Sequence, residues 1–415
     1  MAKNKVSDGL EQLYPQSRNE LADKAATLTR EASRLEGKVH PILAERLKKM
    51  VMFVSCYYAN LIDNRQMHPF FVEQAFKGDY QDEPGKRDMQ LLSRAHVKMQ
   101  QMLEEAIQDN PGLNVSSKDF LKWMHTAYYR RVPKKFRGYE MHYAGKKNEI
   151  GPGDLNEANM QTSEGKASSG HGLESPIDSF SSIFDSSDYH GSDAIIAAAL
   201  SHYQFMQLQP FSAGNNQIAR FYTHSWFIQF HSHSRGLWSF ARGVARKKDE
   251  YFNFFPAKNA TMRSTGHDEN RSESSGSKRS YTGQVSDNVL ATFCDFFLTI
   301  CLEQIRFMDR LLEPDHLLAR IHKYISLRSV EMDGLPVLRD EVRFVLEAVV
   351  LRGSVARGEI ARISGLGERT ARAMTSSLLN EGLLESDNHK APVRLGIPTH
   401  VIGWWFPKLY PEGII

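Results

Sequence analysis

The run Gln209-Pro210-Phe211-Ser212-Ala213-Gly214-Asn215-Asn216-Gln217-Ile218-Ala219-Arg220 joins two apolar helical segments in the middle of the chain. Backbone N–H groups at Gly214 and Asn215, where a helix begins, can wrap around an anion. Asn216 tolerates a positive φ better than most residues. Arg220 adds a charge one turn further on. Acid–base and metal chemistry are poorly supplied by comparison. Gln209 accepts no proton at any accessible pH, Ala213 has no ligand atom, and Gln217 is uncharged. The stretch keeps side chains that shape a loop and lacks those that would react.

The same run resembles the signature of Fic-family nucleotidyl transferases, H-x-F-x-[D/E]-G-N-G-R-x-x-R. Phe211, Gly214, Asn215 and Arg220 match it. Gln209, Ala213, Asn216 and Gln217 stand where the family has its histidine, its acid, its second glycine and its first arginine. In that family the histidine takes a proton from a target hydroxyl as the oxygen attacks the α-phosphate of a nucleotide, which requires a group titrating near neutrality. The acid holds the magnesium that bridges phosphate oxygens. The resemblance therefore implies ATP and magnesium as cofactors. It makes Phe211, Gly214, Asn215, Asn216, Gln217 and Arg220 nucleotide-binding positions and leaves Gln209 as a catalytic position without its base. No metal site is expected with Ala213 at the acidic position. Loss of a general base alone costs about 10²–10⁴ in rate.

The resemblance extends along nearly the whole chain, to bacterial members with an N-terminal helical region and a C-terminal winged helix. Tyr57-Tyr58-Ala59-Asn60-Leu61-Ile62-Asp63-Asn64 resembles the inhibitory motif [S/T]-x-x-x-E-[G/N], with Ala59 for the hydroxyl residue and Asp63 for the glutamate. The resemblance implies that Asp63 faces Arg220. The bland alternative is a solvated Asp63-Asn64 helix end. Arg87 to Leu91, Gly236 to Gly243 and Phe307 to Leu312 look like the same subfamily. Two stretches depart from it: Ser277 to Asp287, where members have an acidic, glycine-rich segment, and Ala144 to Asn148, where they have a flap turn.

These residues need elements to hold them. The segment from about 15 to 130 reads as helical, with Leu47, Met50, Val51, Val54, Tyr58, Leu61 and Ile62 on one face. Pro69 opens a further helix. His68-Pro69-Phe70 starts like the signature, but no glycine loop follows it, so it is read as a chance match. Phe120 to Val132 is amphipathic, and Ala144-Gly145-Lys146-Lys147-Asn148 reads as a hairpin tip. Ser192 and Asp193 can cap a helix running through Gln207. A second helix follows the loop to about His231, and Asn288 to Leu312 is apolar and helical. Residues 257–287 are polar and aperiodic, which predicts a disordered insertion.

Near the end, Asp340 to Leu351, Arg357 to Ile363 and Glu368 to Glu381 read as three helices. A strand from Gly382 and a wing tip at 387–392 follow them, in the order of a winged helix-turn-helix. Arg369, Arg372 and Thr375 are expected on its outward face. Residues 333–415 hold ten basic and ten acidic side chains, a poor footprint for duplex DNA. DNA binding through 357–394 and a protein-docking role both stay open for this module.

Composition bounds the rest. Of the 415 residues 41% are hydrophobic and 24% charged, as in a globular protein. The net charge of +3 is too small to argue for nucleic acid or membrane by itself. No signal peptide or membrane span is read, and the cytoplasm is the expected location. Cys56, Cys294 and Cys301 lack metal or redox spacing and are expected as buried thiols. The expected fold is mostly α: a Fic-type helical core with a short β-hairpin flap, plus a C-terminal winged helix-turn-helix. The expected domains are 1–130, the core at 131–315, a linker at 316–335 and the module at 336–415.

The expected function is that of a degenerate Fic-fold protein without adenylyl transfer, acting by binding or regulation on a protein partner, with homodimerisation open. One alternative is an active transferase in which His202 or His224 replaces the base. The other is a winged-helix transcriptional regulator.

Overall fold

The computed structural model describes residues 18–140, 147–149, 151–156, 175–230, 234–255, 287–330 and 334–411. Its helices in chain order are α1 (Arg18–Lys38), α2 (Pro41–Ile62), α3 (Pro69–Lys77), α4 (Pro84–Asp109), α5 (Lys118–Tyr129), α6 (Pro176–Ile183), α7 (Gly191–Leu208), α8 (Asn215–Gln229), α9 (Phe240–Arg246), α10 (Lys248–Asn253), α11 (Asp287–Leu311), α12 (Pro314–Leu327), α13 (Val342–Arg352), α14 (Ile360–Ser364), α15 (Glu368–Glu381) and α16 (Thr399–Trp405). Two small antiparallel hairpins accompany them, β1 (Gly138–Glu140) with β2 (Lys147–Glu149) and β3 (Leu384–Glu385) with β4 (Arg394–Leu395). The fold is mostly α, as the helical periodicity requires.

The chain divides into two compact units. The first comprises Met1–Thr29, Gln81–Ser232 and Phe240–Leu302; the second comprises Arg30–Tyr80, His233–Ser239 and Glu303–Ile415.

In the first unit α7 and α8 pack as a pair, with α4 and α5 against α8. Twelve of the fifteen residues of α8 are buried, so it is a core helix on nearly every side. Ala194, Ala197, Ala198 and Ala199 of α7 are buried and let neighbours come close. The Trp226 indole N–H donates to the Ala194 carbonyl at 2.7 Å, which ties the end of α8 to the start of α7. By length and composition Asn288–Leu311 could cross a membrane, but Phe293, Phe297 and Cys301 are wholly buried against the fold.

The second unit carries α2, α3 and the C-terminal elements. His40 and His68 each accept, through Nδ1, the N–H two residues on at 3.2 Å, and a proline follows each at the first helical position. His68-Pro69 is thus a helix start. Arg328, fully buried at the end of α12, donates to Glu381 at 2.7 Å and to the Pro336 carbonyl at 2.5 Å. The Tyr58 hydroxyl donates to the Leu409 carbonyl at 3.1 Å, and Arg46 pairs with Glu385 at 2.5 Å.

Three expectations need correction. Ser192 and Asp193 do not cap α7. The helix starts at Gly191 after His190, with no side-chain cap, so both lie inside its first turn. Lys147 and Asn148 belong to β2, paired with Glu140 and Tyr139, because the ladder runs that far along the chain. Thr375 does not face outward. It is buried and its hydroxyl donates to the Ala371 carbonyl at 2.7 Å, since it lies four residues after Ala371 and three before Leu378 on the buried face. Ala144 to Lys146 and residues 257–286 of the expected insertion lie outside the described residues; Asp287 begins α11.

Candidate functional site

The α7–α8 connection is a loop held from inside by one side chain. Asn215 is buried, accepts the Phe211 N–H through Oδ1 at 2.9 Å and returns Nδ2–H to the Phe211 carbonyl at 2.7 Å. This reciprocal pair fixes the turn between Phe211 and the start of α8. Two left-handed residues make the bends. Gln209 ends α7 at φ 46° and Gly214 precedes α8 at φ 79°. For Gln209 that conformation is uncommon and carries strain. For Gly214 it is free, and a Cβ there would land on the Tyr129 ring.

A second strand of chain braces the loop. Leu155 bridges to Phe211, the Ser212 N–H donates to the Asp154 carbonyl at 3.1 Å, and the Asn156 N–H donates to the Pro210 carbonyl at 2.9 Å. Below them lies His125 of α5, wholly buried. Its Nδ1 accepts the Gly153 N–H at 2.8 Å, so Nε2 carries the proton and donates to the Ala213 carbonyl at 3.1 Å. Its ring stacks on Phe211 with centroids 4.2 Å apart. Burial pushes its pKa down to about 4, against the opposing pull of the Ala213 carbonyl and Asp154.

At the start of α8 the N–H groups of Asn215 and Asn216 have no partner among the described residues. Arg220, one turn on, is 5% exposed and donates from Nη2 to Gln217 Oε1 at 2.6 Å. His96 lies behind it, its ring 4.8 Å from that of Phe221. Burial, then the charge of Arg220, pushes the His96 pKa down to about 3, so it stays neutral beside the arginine.

Residues 115–227, which span α5, the flap hairpin, α7 and nearly all of α8, match the Fic/DOC family model. This segment is a Fic/DOC domain. No curated protein is a significant match to the chain. Two solved structures are similar to it. One is a Fic family protein from Desulfovibrio desulfuricans G20, at 12% identity and TM-score 0.44, covering 90% of this chain and 95% of that one. The other is a Fic domain containing signaling protein from Bacteroides thetaiotaomicron VPI-5482, at 14% identity and TM-score 0.44, covering 69% of this chain and 96% of that one. The assignment rests on the domain match.

Within this Fic loop the structure gathers Gln209, Phe211, Ala213, Gly214, Asn215, Asn216, Gln217 and Arg220 into one α7–α8 connection. Magnesium does not fit the residues present. The Ala213 side chain is a methyl group, its carbonyl is taken by His125, and no convergent group of His, Cys, Asp or Glu occurs among the described residues. The histidine advanced as a substitute base at position 202 is also committed. The Thr223 hydroxyl donates to the Ala219 carbonyl at 3.0 Å, so it accepts His202 Nδ1–H at 2.6 Å, and His202 Nε2 accepts from the Tyr251 hydroxyl at 2.8 Å. His224 lies half-buried two and a half turns into α8, away from the loop end of that helix.

Asp63 and Asn64 lie in the second unit, where they terminate α2. The Asp63 N–H donates to the Ala59 carbonyl at 3.4 Å, and its carboxylate is 3.8 Å from Arg65 Nη1. Asn64 takes φ 57°, the conformation that favours glycine or asparagine at this place. Sequence reasoning missed His125. A single histidine on an amphipathic helix carries no local signal; only the fold brings it under the loop.

Proposed function

We propose that this Fic-domain protein does not transfer adenylyl groups and acts by binding or regulation. The observation that carries the reading is an intact loop frame around an inert centre. Asn215, Phe211 and Gly214 hold the loop, while Gln209 offers only a carboxamide and Ala213 no ligand atom. Gln217, at the family's first-arginine position, hydrogen-bonds Arg220 and adds no charge.

The N–H groups of Asn215 and Asn216 and the Arg220 charge still offer an anion something to bind. Helix-end contributions are about 0.3–1 kcal/mol each at exposed sites. Nucleotide binding is therefore expected to be weak and indifferent to magnesium.

A transfer assay with labelled ATP and magnesium tests this, reading auto-modification as well as transfer to added protein. The expected result is no signal above heat-killed protein, from the wild type and from the single variants Gln209→His and Ala213→Asp. Wild-type transfer above that background would instead support an active enzyme.

A second reading, a winged-helix regulator, is favoured by the order α13, α14, α15, β3, β4 and by the exposure of Arg369 and Arg372 on α15. Its charge is balanced, however, and Arg372 lies 3.6 Å from Glu368.

A further inference from the structure

The end of α5 runs into Arg130-Arg131-Val132-Pro133-Lys134-Lys135-Phe136-Arg137, five basic and no acidic residues in eight. Pro133 stops the helix and starts a single 3₁₀ turn over Lys134–Phe136. Arg130, Arg131, Lys134 and Lys135 are all exposed, and none of them makes an ion pair among the described residues. Glu83 at the head of α4, which like Lys135 approaches Gly85, is paired with Lys86 at 2.8 Å.

Part of this charge has a local use. Arg131 donates to the Ala127 carbonyl at 2.6 Å and Arg137 to the Val132 carbonyl at 2.7 Å, so two arginines satisfy carbonyls at and just beyond the end of α5. Lys134 and Lys135 have no such use. Lys135 sits over the half-buried Phe136 ring at 5.9 Å. On the C-terminal module several arginines have acidic partners instead. Arg362 pairs with Glu359 at 3.1 Å, Arg372 with Glu368 at 3.6 Å, and Arg394 with Asp387.

We propose that the strip Arg130, Arg131, Lys134 and Lys135 docks the phosphodiester backbone of a nucleic acid without reading its sequence. Dense positive charge without acidic partners among the described residues, beside an aromatic ring, suits a row of phosphates. Phosphate contacts of this kind fix position and carry no sequence information. The strip begins one residue after Tyr129, the side chain that packs on Gly214, so a bound strand would lie near the Fic loop.

The test is fluorescence anisotropy of the full chain with a labelled short DNA duplex of arbitrary sequence, titrated across salt. Three to four phosphate contacts give a log–log salt slope of about −3, an affinity loss of roughly 60-fold between about 50 and 200 mM salt. K134Q/K135Q should flatten the slope by about 2, with an unchanged thermal melt that shows the fold intact. R130Q/R131Q/K134Q/K135Q should abolish binding, and R369Q/R372Q should bind as wild type. The proposal is overturned if the duplex does not bind at low salt, if K134Q/K135Q binds like wild type, or if R369Q/R372Q carries the loss. Binding of labelled polyglutamate with none of the duplex would also overturn it, assigning the strip to an acidic protein.

Discussion

His125 shows how much a single residue settles here. It lies buried on α5 and carries the floor of the loop through two hydrogen bonds and a stacked ring. Only its neutral form can do this, because Nδ1 must accept the Gly153 N–H. Its folded pKa is about 4, below the roughly 6.5 of an unfolded histidine. Above about pH 6.5 neither state is protonated and the bonds count in full. As pH falls below that, the unfolded chain takes up the proton and stability drops until the folded group titrates. At about pH 5 the loss from this residue is about 2 kcal/mol. His125→Phe keeps the ring and leaves a buried N–H and C=O unmet, at about 1–3 kcal/mol each. Denaturant unfolding should show this variant less stable at neutral pH, with its deficit shrinking at about pH 5. A deficit constant with pH would remove the assignment.

At the scale of elements, the α7–α8 corner is set by where glycine stands. Gly214 combines φ 79° with close approach of the Tyr129 ring. Gly191 also has a positive φ, 55°, but opens onto free space. Ala at Gly191 should cost only the left-handed conformation, about 1–2 kcal/mol. Gly214→Ala adds displacement of a buried tyrosine and should cost about 2–4 kcal/mol in all. Chemical denaturation of the two variants compares them directly; equal losses would mean that the Tyr129 contact carries no weight. The corner was readable beforehand because Gly214-Asn215 is a local signal. The brace from residues 154–156 was not, since its bonds run through main-chain atoms that no side chain announces.

At the scale of the molecule, the second unit joins residues 30–80 to the C-terminal part of the chain. The Arg328–Glu381 pair is its most buried ionic contact among the described residues, and His400 Nε2 lies 3.3 Å from the same carboxylate. Burial alone would raise the Glu381 pKa, but hydrogen bonds and charge from His400 and Arg328 hold it below the usual carboxylate value. That contribution is present above about pH 4.3, the unfolded value, and is lost as pH falls through the lower folded value. Glu381→Gln leaves Arg328 buried without its counter-charge, and breaking such a pair costs about 3–5 kcal/mol. A thermal melt at neutral pH should fall by several degrees, with Arg328→Met less damaging because it strands a less buried partner. Equal melts for wild type and Glu381→Gln would refute this.

The sequence by itself determined the helices, the hairpin and the family of the central domain. Each rests on local signals: apolar periodicity in α2 and α5, proline at helix starts, and the Phe211, Gly214, Asn215, Arg220 spacing. It also determined what chemistry is missing, because Gln209 and Ala213 lack the needed atoms wherever they are placed. Only the tertiary structure decided which histidines are structural, since the tautomers of His125 and His202 are fixed by partners 28 and 21–49 residues away. It alone also showed that Arg372 on α15 lies against Glu368, while Arg130, Lys134 and Lys135 after α5 have no ion pair among the described residues. Charge balance depends on which carboxylates come within a few ångströms, and chain order does not fix that distance.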